Sequence, residues 1–271
     1  MDQYAPSNDH GTYVEVNGLR IYYESHGEGI PIVLLHGGFE TCRMWAPVVA
    51  ALSTHYRVIT PDSHGHDRTD APAEPVTFLR MAEDFVQFIQ VLGLDRPFVG
   101  GYSDGAKIAK YMAINFPGLA RGYLIGAIFN AMTAEWRGLM QGMLGFEGPG
   151  VVDVEQVAQQ NPEVVQDLQE KHGHGREPEY WKTLLIYSSH RWWSMAELTP
   201  IDFAKITDPA LFWCGDRDVF CPPEQSLEMY RMVPGSECAV IPNADHFTMA
   251  NQFDLAIGVL SNFMERVIGS K

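Results

Sequence analysis

Basic residues and long apolar runs are both scarce in this sequence. It has 19 Lys and Arg against 34 Asp and Glu, which gives a formal net charge of −15 at pH 7. An acidic surface repels phosphate backbones and anionic lipid headgroups, so nucleic acid is not an expected partner. No apolar run approaches the length that a transmembrane helix needs, so we expect no membrane span.

Cysteine is also rare, and its spacing matches no disulfide framework or C-x-x-C motif. We expect the four cysteines to be buried reduced thiols: Cys42, Cys214, Cys221 and Cys238. Residues 1–11 contain no apolar segment of the kind found in secretory signals. A cytoplasmic, soluble location is therefore the expectation.

The overall composition is that of an ordinary globular protein. Hydrophobic residues make up 46% of the chain and charged residues 20%, which excludes a disordered or fibrous protein. A length of 271 residues suits one large core that carries an insertion.

Strand and helix patterns alternate along most of the chain. Asn17-Gly18 predicts a hairpin turn between strands 12–16 and 19–24. Unbroken apolar strands separated by helices predict a mostly parallel sheet with helices on both faces, an α/β fold. The predicted strands are 30–35, 56–60, 97–101, 122–128, 210–214 and 237–241, and the predicted helices are 45–52, 78–92, 104–116, 223–232 and 253–267.

The pattern changes between residues 131 and 200, where helix-like stretches carry many large apolar side chains. We interpret 131–200 as an inserted helical cap, with loops at 145–150 and 172–175. The core would then consist of residues 1–130 and 201–271. A stripe of apolar residues at helical spacing is often simply core, but a cap also covers a pocket. We expect pocket-lining side chains among Trp136, Met140, Phe146, Trp181 and Trp192.

Ser103 stands in a G-x-S-x-G motif between an apolar strand and a helical stretch. The motif predicts a sharp turn in which strand and helix lie too close for a β-carbon at Gly101 or Gly105, so that the serine is exposed above the sheet. The backbone N–H of Asp104, at the start of the helix, could donate to a developing oxyanion. For the Asp104 carboxylate we expect helix capping rather than a part in catalysis.

Five motifs in order resemble those of the α/β-hydrolase family. They are Leu35-His36-Gly37-Gly38, Pro61-Asp62-Ser63-His64-Gly65-His66, Gly101-Tyr102-Ser103-Asp104-Gly105, Gly215-Asp216-Arg217-Asp218 and Ala244-Asp245-His246. The resemblance covers nearly the whole chain outside the cap. It implies an α/β-hydrolase fold, catalytic residues in the order Ser, acid, His, and a site at the carboxyl ends of the strands.

The resemblance also implies roles for individual residues. The N–H of Gly38 would be the second oxyanion donor, with Phe39 beside it, and His246 would be the general base. Two aspartates compete to orient that base. The family pattern matches Asp218, and Asp216 would then bind the backbone of the turn.

One stretch departs from the family pattern, because Asp67 replaces an expected glycine. Aspartate tolerates positive φ better than most residues, so we expect an unchanged fold. The same stretch holds His64, His66, Asp67 and Asp70, a set that could chelate zinc. We favour a hydrogen-bonded loop beneath the site, with no metal and no other cofactor.

The sequence therefore predicts a serine hydrolase that cleaves a small, apolar carboxylic ester through an acyl-enzyme. Phe39 and Tyr102 join the cap residues as expected substrate contacts. The same catalytic residues would also suit lactones or the carbon–carbon bonds of diketones, and a small-molecule receptor that retains them is an alternative from another class. The oligomeric state stays open, a homodimer included.

Overall fold

A computed structural model describes residues 11–270. The expected absence of a secretory signal concerns residues 1–10 and so lies outside the described part. No helix within 11–270 has both the length and the apolar character needed to cross a membrane.

The strands are β1 (Gly11–Val16), β2 (Leu19–His26), β3 (Ile30–Leu35), β4 (Tyr56–Pro61), β5 (Phe98–Tyr102), β6 (Gly122–Gly126), β7 (Phe146–Gly148), β8 (Val151–Val152), β9 (Ala210–Gly215) and β10 (Glu237–Ile241). Eight of them form one sheet in the order β1-β2-β4-β3-β5-β6-β9-β10. β1 pairs antiparallel with β2 and β2 with β4, whereas all other neighbours are parallel. The predicted mostly parallel sheet is therefore confirmed.

The central strands β5, β6 and β9 are buried along their whole length, as expected for a parallel sheet covered on both faces. The helices are α1 (Ala46–Leu52), α2 (Phe78–Val91), α3 (Asp104–Asn115), α4 (Ala134–Leu144), α5 (Val154–Gln160), α6 (Pro162–His172), α7 (Tyr180–Trp193), α8 (Pro200–Phe203), α9 (Pro223–Met232), α10 (Thr248–Asn251) and α11 (Phe253–Gly269). A short 3₁₀ turn, Cys42–Trp45, precedes α1.

The segment between β6 and β9 holds helices α4 to α8 and a small hairpin. We use the name cap for residues 131–200 of this segment. The prediction of a loop at 145–150 was wrong, because β7 and β8 pair antiparallel there. Gly145 ends α4 at φ 64°, and Gly150 turns the hairpin at φ 74°. These left-handed glycines reverse the chain twice, which brings Phe146 into a buried position.

The two ends of this segment meet at one point, which we call the cap neck (Asn130, Ala131 and Leu198). The Asn130 side chain donates to the Leu198 carbonyl at 2.8 Å and accepts from the Leu198 N–H at 3.1 Å. The amide of Gln225, on α9, bonds the N–H of Asn130 and both the N–H and the carbonyl of Ala131. Side-chain amides thus fix the neck to itself and to the core.

Candidate active site

Ser103 lies at the tight turn from β5 into α3, with φ 53° and ψ −113°. Its N–H donates to the Gly126 carbonyl at 2.9 Å, which anchors the strained residue to the neighbouring strand. A β-carbon at Gly101 would overlap the backbone of Gly105, and one at Gly105 would overlap the carbonyl of Leu35. The expected reason for the two glycines is therefore confirmed.

His246 follows β10 and contacts an acid that follows β9. Its Nδ1 lies 2.8 Å from Oδ2 of Asp218, whose side chain is fully buried. The other oxygen of Asp218 accepts the N–H groups of Phe220 and Cys221 at 2.9 and 2.8 Å. Since an ionised carboxylate only accepts, the Nδ1 carries the hydrogen of that contact and Nε2 is the basic nitrogen.

Asp216, the other candidate acid, has different partners. Its Oδ1 accepts the backbone N–H of Ala244 at 3.0 Å, and this hydrogen bond holds the pKa of the Asp216 carboxyl below its usual range. The side chain therefore ties the loop after β9 to the loop after β10. Asp218 is the one of the two that hydrogen-bonds the imidazole of His246.

The loop after β3, residues 37–39, runs close to Ser103. A β-carbon at Gly37 would lie 3.5 Å from Cβ of Ser103, and one at Gly38 would lie 3.0 Å from the Trp192 ring and 3.1 Å from a carboxylate oxygen of Asp104. Phe39 follows at φ 60°. The backbone of Gly38 therefore passes through a narrow space, in which a β-carbon would require the side chains of Trp192 and Asp104 to shift.

Three buried histidines, His36, His66 and His172, hold this loop, and we call them the histidine clamp. The Nδ1–H of His36 donates to the Gly37 carbonyl at 2.8 Å, while its Nε2 accepts a backbone N–H from the loop after β4. His66 accepts the N–H of Phe39 at its Nε2, at 3.4 Å. The His66 ring lies between the other two, with ring centroids 5.1 and 5.0 Å away.

His172 brings the cap into the clamp, because it is the last residue of α6. Its Nδ1 accepts the N–H of Asp67 at 3.0 Å, so its Nε2 carries the hydrogen and donates to the Phe39 carbonyl at 3.0 Å. Asp67 has φ 36°, which agrees with the expectation that it replaces a glycine at positive φ. The sequence alone places His172 at the start of a predicted loop and gives no sign of its function.

Burial keeps the clamp neutral. Desolvation lowers the pKa of His36 to about 4 and that of His172 to about 3. It also lowers the pKa of His66 well below the usual value. A neutral imidazole offers one donor and one acceptor. Each of the three rings uses both, since the Nδ1 of His66 donates to the His64 carbonyl at 3.0 Å.

Ser103, His246 and Gly38 line one cavity of about 670 Å³ between the sheet and the cap. The expected contacts Phe39, Tyr102, Trp136, Met140 and Trp192 line it as well. Lining residues that sequence reasoning missed include Met44, Lys107, Phe129, Phe220 and Phe247. Most follow strands or lie on the first turns of core helices, so only the tertiary fold brings them together.

Phe146 and Trp181 were expected at the pocket but are absent from the lining of this cavity. The Phe146 ring packs 5.3 Å from the Trp192 ring and 5.8 Å from that of Trp193, measured between centroids. Trp181 is only 4% exposed. Both side chains are therefore buried in the hydrophobic core, away from the lining of the cavity.

The Asp104 carboxylate has buried partners instead of the expected capping role. One oxygen lies 3.2 Å from Nζ of Lys107, and the other accepts from Nε1 of Trp192 at 2.8 Å and lies 3.6 Å from Nη2 of Arg191. We call Asp104, Lys107 and Arg191 the inner charge cluster. It joins α3 to the last turn of α7 directly behind Gly38.

The alternative of a metal site at residues 64–70 is not supported. His64 Nε2 bonds Asp84 at 3.0 Å, and Asp70 pairs with Arg20 at the surface. His66 belongs to the clamp. Among residues 11–270, the only set of three or more His, Cys, Asp or Glu side chains with potential metal-ligand atoms within 4.8 Å of one another is Asp218, Cys221 and His246.

Comparison with known proteins assigns the family. The sequence profile of the Alpha/beta hydrolase family matches residues 32–256. The chain belongs to the alpha/beta hydrolase family. The family expected from the motifs is thus confirmed.

Two curated relatives illustrate the range of this alpha/beta hydrolase's similarities. A soluble epoxide hydrolase of Corynebacterium sp. (strain C12) is 35% identical over 98 residues, 36% of this chain and 34% of that protein. The match thus spans about a third of that relative's length. The (E)-2-((N-methylformamido)methylene)succinate hydrolase of Acinetobacter baylyi is 24% identical over 244 residues, 85% of this chain and 88% of that protein.

A solved structure supports the fold of the alpha/beta hydrolase. A thermophilic esterase from Thermogutta terrifontis superposes with a TM-score of 0.74 at 22% identity, over 94% of this chain and 99% of that one. At this identity the likeness concerns the fold alone.

Proposed function

We propose that this alpha/beta hydrolase cleaves small carboxylic esters through an acyl-enzyme formed on Ser103. The observation that carries the proposal is the 2.8 Å contact between Nδ1 of His246 and the buried Asp218, in a cavity that Ser103 also lines. A serine on a strained turn, an imidazole oriented by a carboxylate and a narrow glycine loop are the parts that acyl transfer requires.

In the proposed reaction, Oγ of Ser103 attacks the ester carbonyl while Nε2 of His246 takes its proton. The proton then passes to the leaving alkoxide, which departs as the alcohol and leaves the acyl group on Ser103. Water attacks the acyl-enzyme with His246 again as base, and the acid is released as the serine recovers its proton. Asp218 keeps the imidazole in the required tautomer and stabilises its protonated form.

The tetrahedral intermediate would place its negative charge between the N–H groups of Gly38 and Asp104. Within residues 11–270 neither N–H donates to another backbone group outside the helices and strands, so both donors are available to a ligand. The histidine clamp fixes the position of the Gly38 N–H, because it hydrogen-bonds the carbonyl of Gly37 and both the N–H and the carbonyl of Phe39. Fixed donors stabilise a developing charge without reorganisation.

The cavity suits a small, largely apolar substrate. A volume of about 670 Å³ is typical of sites for small organic molecules. The aromatic rings of Phe39, Trp136 and Trp192 provide apolar walls, and Phe39 packs edge-on against Trp192. The same geometry would admit a lactone, whose ring opening uses the same steps.

The test compares Ser103→Ala with wild type on p-nitrophenyl esters of increasing chain length. Loss of the nucleophile should lower kcat by about 10⁴- to 10⁶-fold with the fold unchanged. Ser236→Ala is the matched control, since Ser236 hydrogen-bonds only backbone carbonyls near α9 and should retain full activity. A fluorophosphonate is expected to label Ser103 in wild type and in Ser236→Ala, and to leave Ser103→Ala unlabelled.

Retained hydrolysis in Ser103→Ala would refute the proposal. The number of turnovers distinguishes an enzyme from a receptor that keeps the same residues, because a receptor would release one equivalent of alcohol and then stop. Steady multiple turnover is the expected result. A parallel panel of lactones and diketones measures how far the specificity extends beyond esters.

A further inference from the structure

The inner charge cluster contains one more positive charge than negative charge. Lys107 and Arg191 are cations, and Asp104 is the single anion between them. Their relative exposures are 2%, 4% and 4%, so water does not solvate the surplus. A buried charge without a counter-charge is costly, which makes the surplus significant.

No other carboxylate within residues 11–270 forms an ion pair with Lys107 or Arg191. The Lys107 ammonium pairs with and hydrogen-bonds to Asp104 alone among these residues. Arg191 contacts Asp104, the Ser188 hydroxyl and the sulfur of Met81. An ammonium has three N–H donors, so Lys107 keeps donors for a further acceptor.

A second buried lysine lies on the same helix, outside the cavity. Lys110 lies one turn further along α3, is fully buried and has no hydrogen-bond partner. Burial and the nearby Lys107 lower the pKa of Lys110 to about 7. Lys110 does not line the cavity, whereas Lys107 does.

The surroundings of Lys107 strengthen its attraction for an anion. Its Nζ lies 4.1 Å from the ring centre of Phe129 and 5.5 Å from that of Trp192. Both rings line the cavity, so an anion bound there would leave water for an apolar wall. Coulombic attraction is much stronger in such a medium than in water.

Acidic residues also line the cavity, but at its exposed rim. Glu163 and Asp167 lie on α6 and are exposed, and Glu40 is half-buried beside them. Lys171 bonds both Glu40 and Asp167. Arg43 lines the cavity as well, so charges of both signs lie around its opening. The surplus positive charge lies at the inner charge cluster, which would attract the anionic end of a substrate inward.

We propose that the preferred substrates are esters that carry a free carboxylate, which binds Lys107. This deepens the proposed function and rests on it. Lys107 follows Ser103 by four residues on α3, a rise of about 6 Å along the helix. A carboxylate a few carbons from the reacting carbonyl would span that separation.

The first experiment compares two adipate esters, p-nitrophenyl hydrogen adipate and its methyl ester, with spontaneous hydrolysis subtracted. Lys107→Met should lower kcat/KM for the anionic ester by about 10- to 100-fold, the range of a charge-assisted hydrogen bond. The neutral ester should change by less than about threefold. Asp104 keeps Trp192 and Arg191 as partners in this variant, so the fold should survive.

Lys110→Met is the matched control, because it makes the same substitution at a buried lysine of the same helix that does not line the cavity. It should leave the preference for the anionic ester intact. Equal losses on both esters in Lys107→Met would overturn the proposal, since they would mean a general effect on the reaction and not recognition of a carboxylate.

The second experiment does not depend on turnover. Ser103→Ala is titrated with hexanoate and with hexanamide by calorimetry, alone and combined with Lys107→Met. Hexanoate should bind about 10-fold or more tightly than hexanamide, and only when Lys107 is present. Equal affinities would refute the carboxylate site, whereas absence of ester turnover with hexanoate binding retained would refute the proposed function alone.

Discussion

Replacing His172 by alanine is expected to slow catalysis without weakening substrate binding. The imidazole is fully buried and makes two hydrogen bonds of 3.0 Å, from the Asp67 N–H and to the Phe39 carbonyl. Alanine would leave both backbone groups unpaired, at about 1–3 kcal/mol each. The free energy of unfolding should therefore fall by about 2–6 kcal/mol.

The effect on the rate follows from the position of Phe39 next to Gly38. Removing an oxyanion donor outright costs about 10²- to 10³-fold in kcat. His66 still holds the Phe39 N–H in the alanine variant, so the donor is displaced and not lost. We expect kcat to fall by about 10- to 100-fold, with KM nearly unchanged because the donor acts on the transition state.

Two conservative variants separate the bonds of His172. Glutamine can place an N–H near the position of Nε2 and restore the bond to Phe39, whereas asparagine can place an acceptor near Nδ1 and restore only the bond from Asp67. Steady-state kinetics on one ester should show recovery of kcat in His172→Gln and not in His172→Asn. Equal kcat values in all three variants, or a change confined to KM, would refute the reasoning.

Three further predictions concern the acid, the pH dependence and the turn. Asp218→Asn should lower kcat by about 10⁴-fold and Asp216→Asn by far less, as steady-state kinetics would show, because only Asp218 bonds the imidazole. Unfolded histidine takes up a proton near pH 6.5, whereas burial lowers the folded pKa values of two clamp members to about 4 and about 3; stability should therefore be lost as pH falls, by about 2 kcal/mol for each between pH 7 and 5. Burial raises the pKa of Asp62 to about 6, so between pH 7 and 5 this carboxyl takes up a proton in the folded state before it does so in the unfolded state, which stabilises the fold by about 1 kcal/mol and partly offsets the loss from the histidines. Urea titrations at pH 7 and pH 5 measure the net decrease in the free energy of unfolding. Gly105→Ala should destabilise by about 1–3 kcal/mol or more in thermal unfolding, since its β-carbon overlaps backbone.

The core elements could be predicted because their signals are local. Apolar runs and turn residues placed β3, α9 and β10 at the observed bounds. The strand predicted over 122–128 ends earlier, at Gly126, because Ala127 turns to φ 49°. Alanine gives no sequence signal for positive φ, so the tertiary environment decides that end.

The site could be predicted only in part, for a related reason. Ser103 stands in a short motif whose geometry follows from its own glycines. Lys107 and His172 depend on partners far apart in sequence, such as Arg191 for the inner charge cluster and Phe39 for the clamp. A buried lysine on an apolar helix face, three residues after Asp104, was the one signal that could have indicated the cluster.

The cap neck has a consequence for how specificity can change. The chain leaves the core at Asn130 and returns at Leu198, and the two points are joined by a pair of hydrogen bonds. The inserted segment therefore begins and ends at neighbouring points on the core, a geometry that can accommodate segments of different lengths. Exchanging the segment between these two residues would change the upper wall of the cavity, and with it the substrates admitted, while Ser103, Asp218 and His246 stay in place on the core.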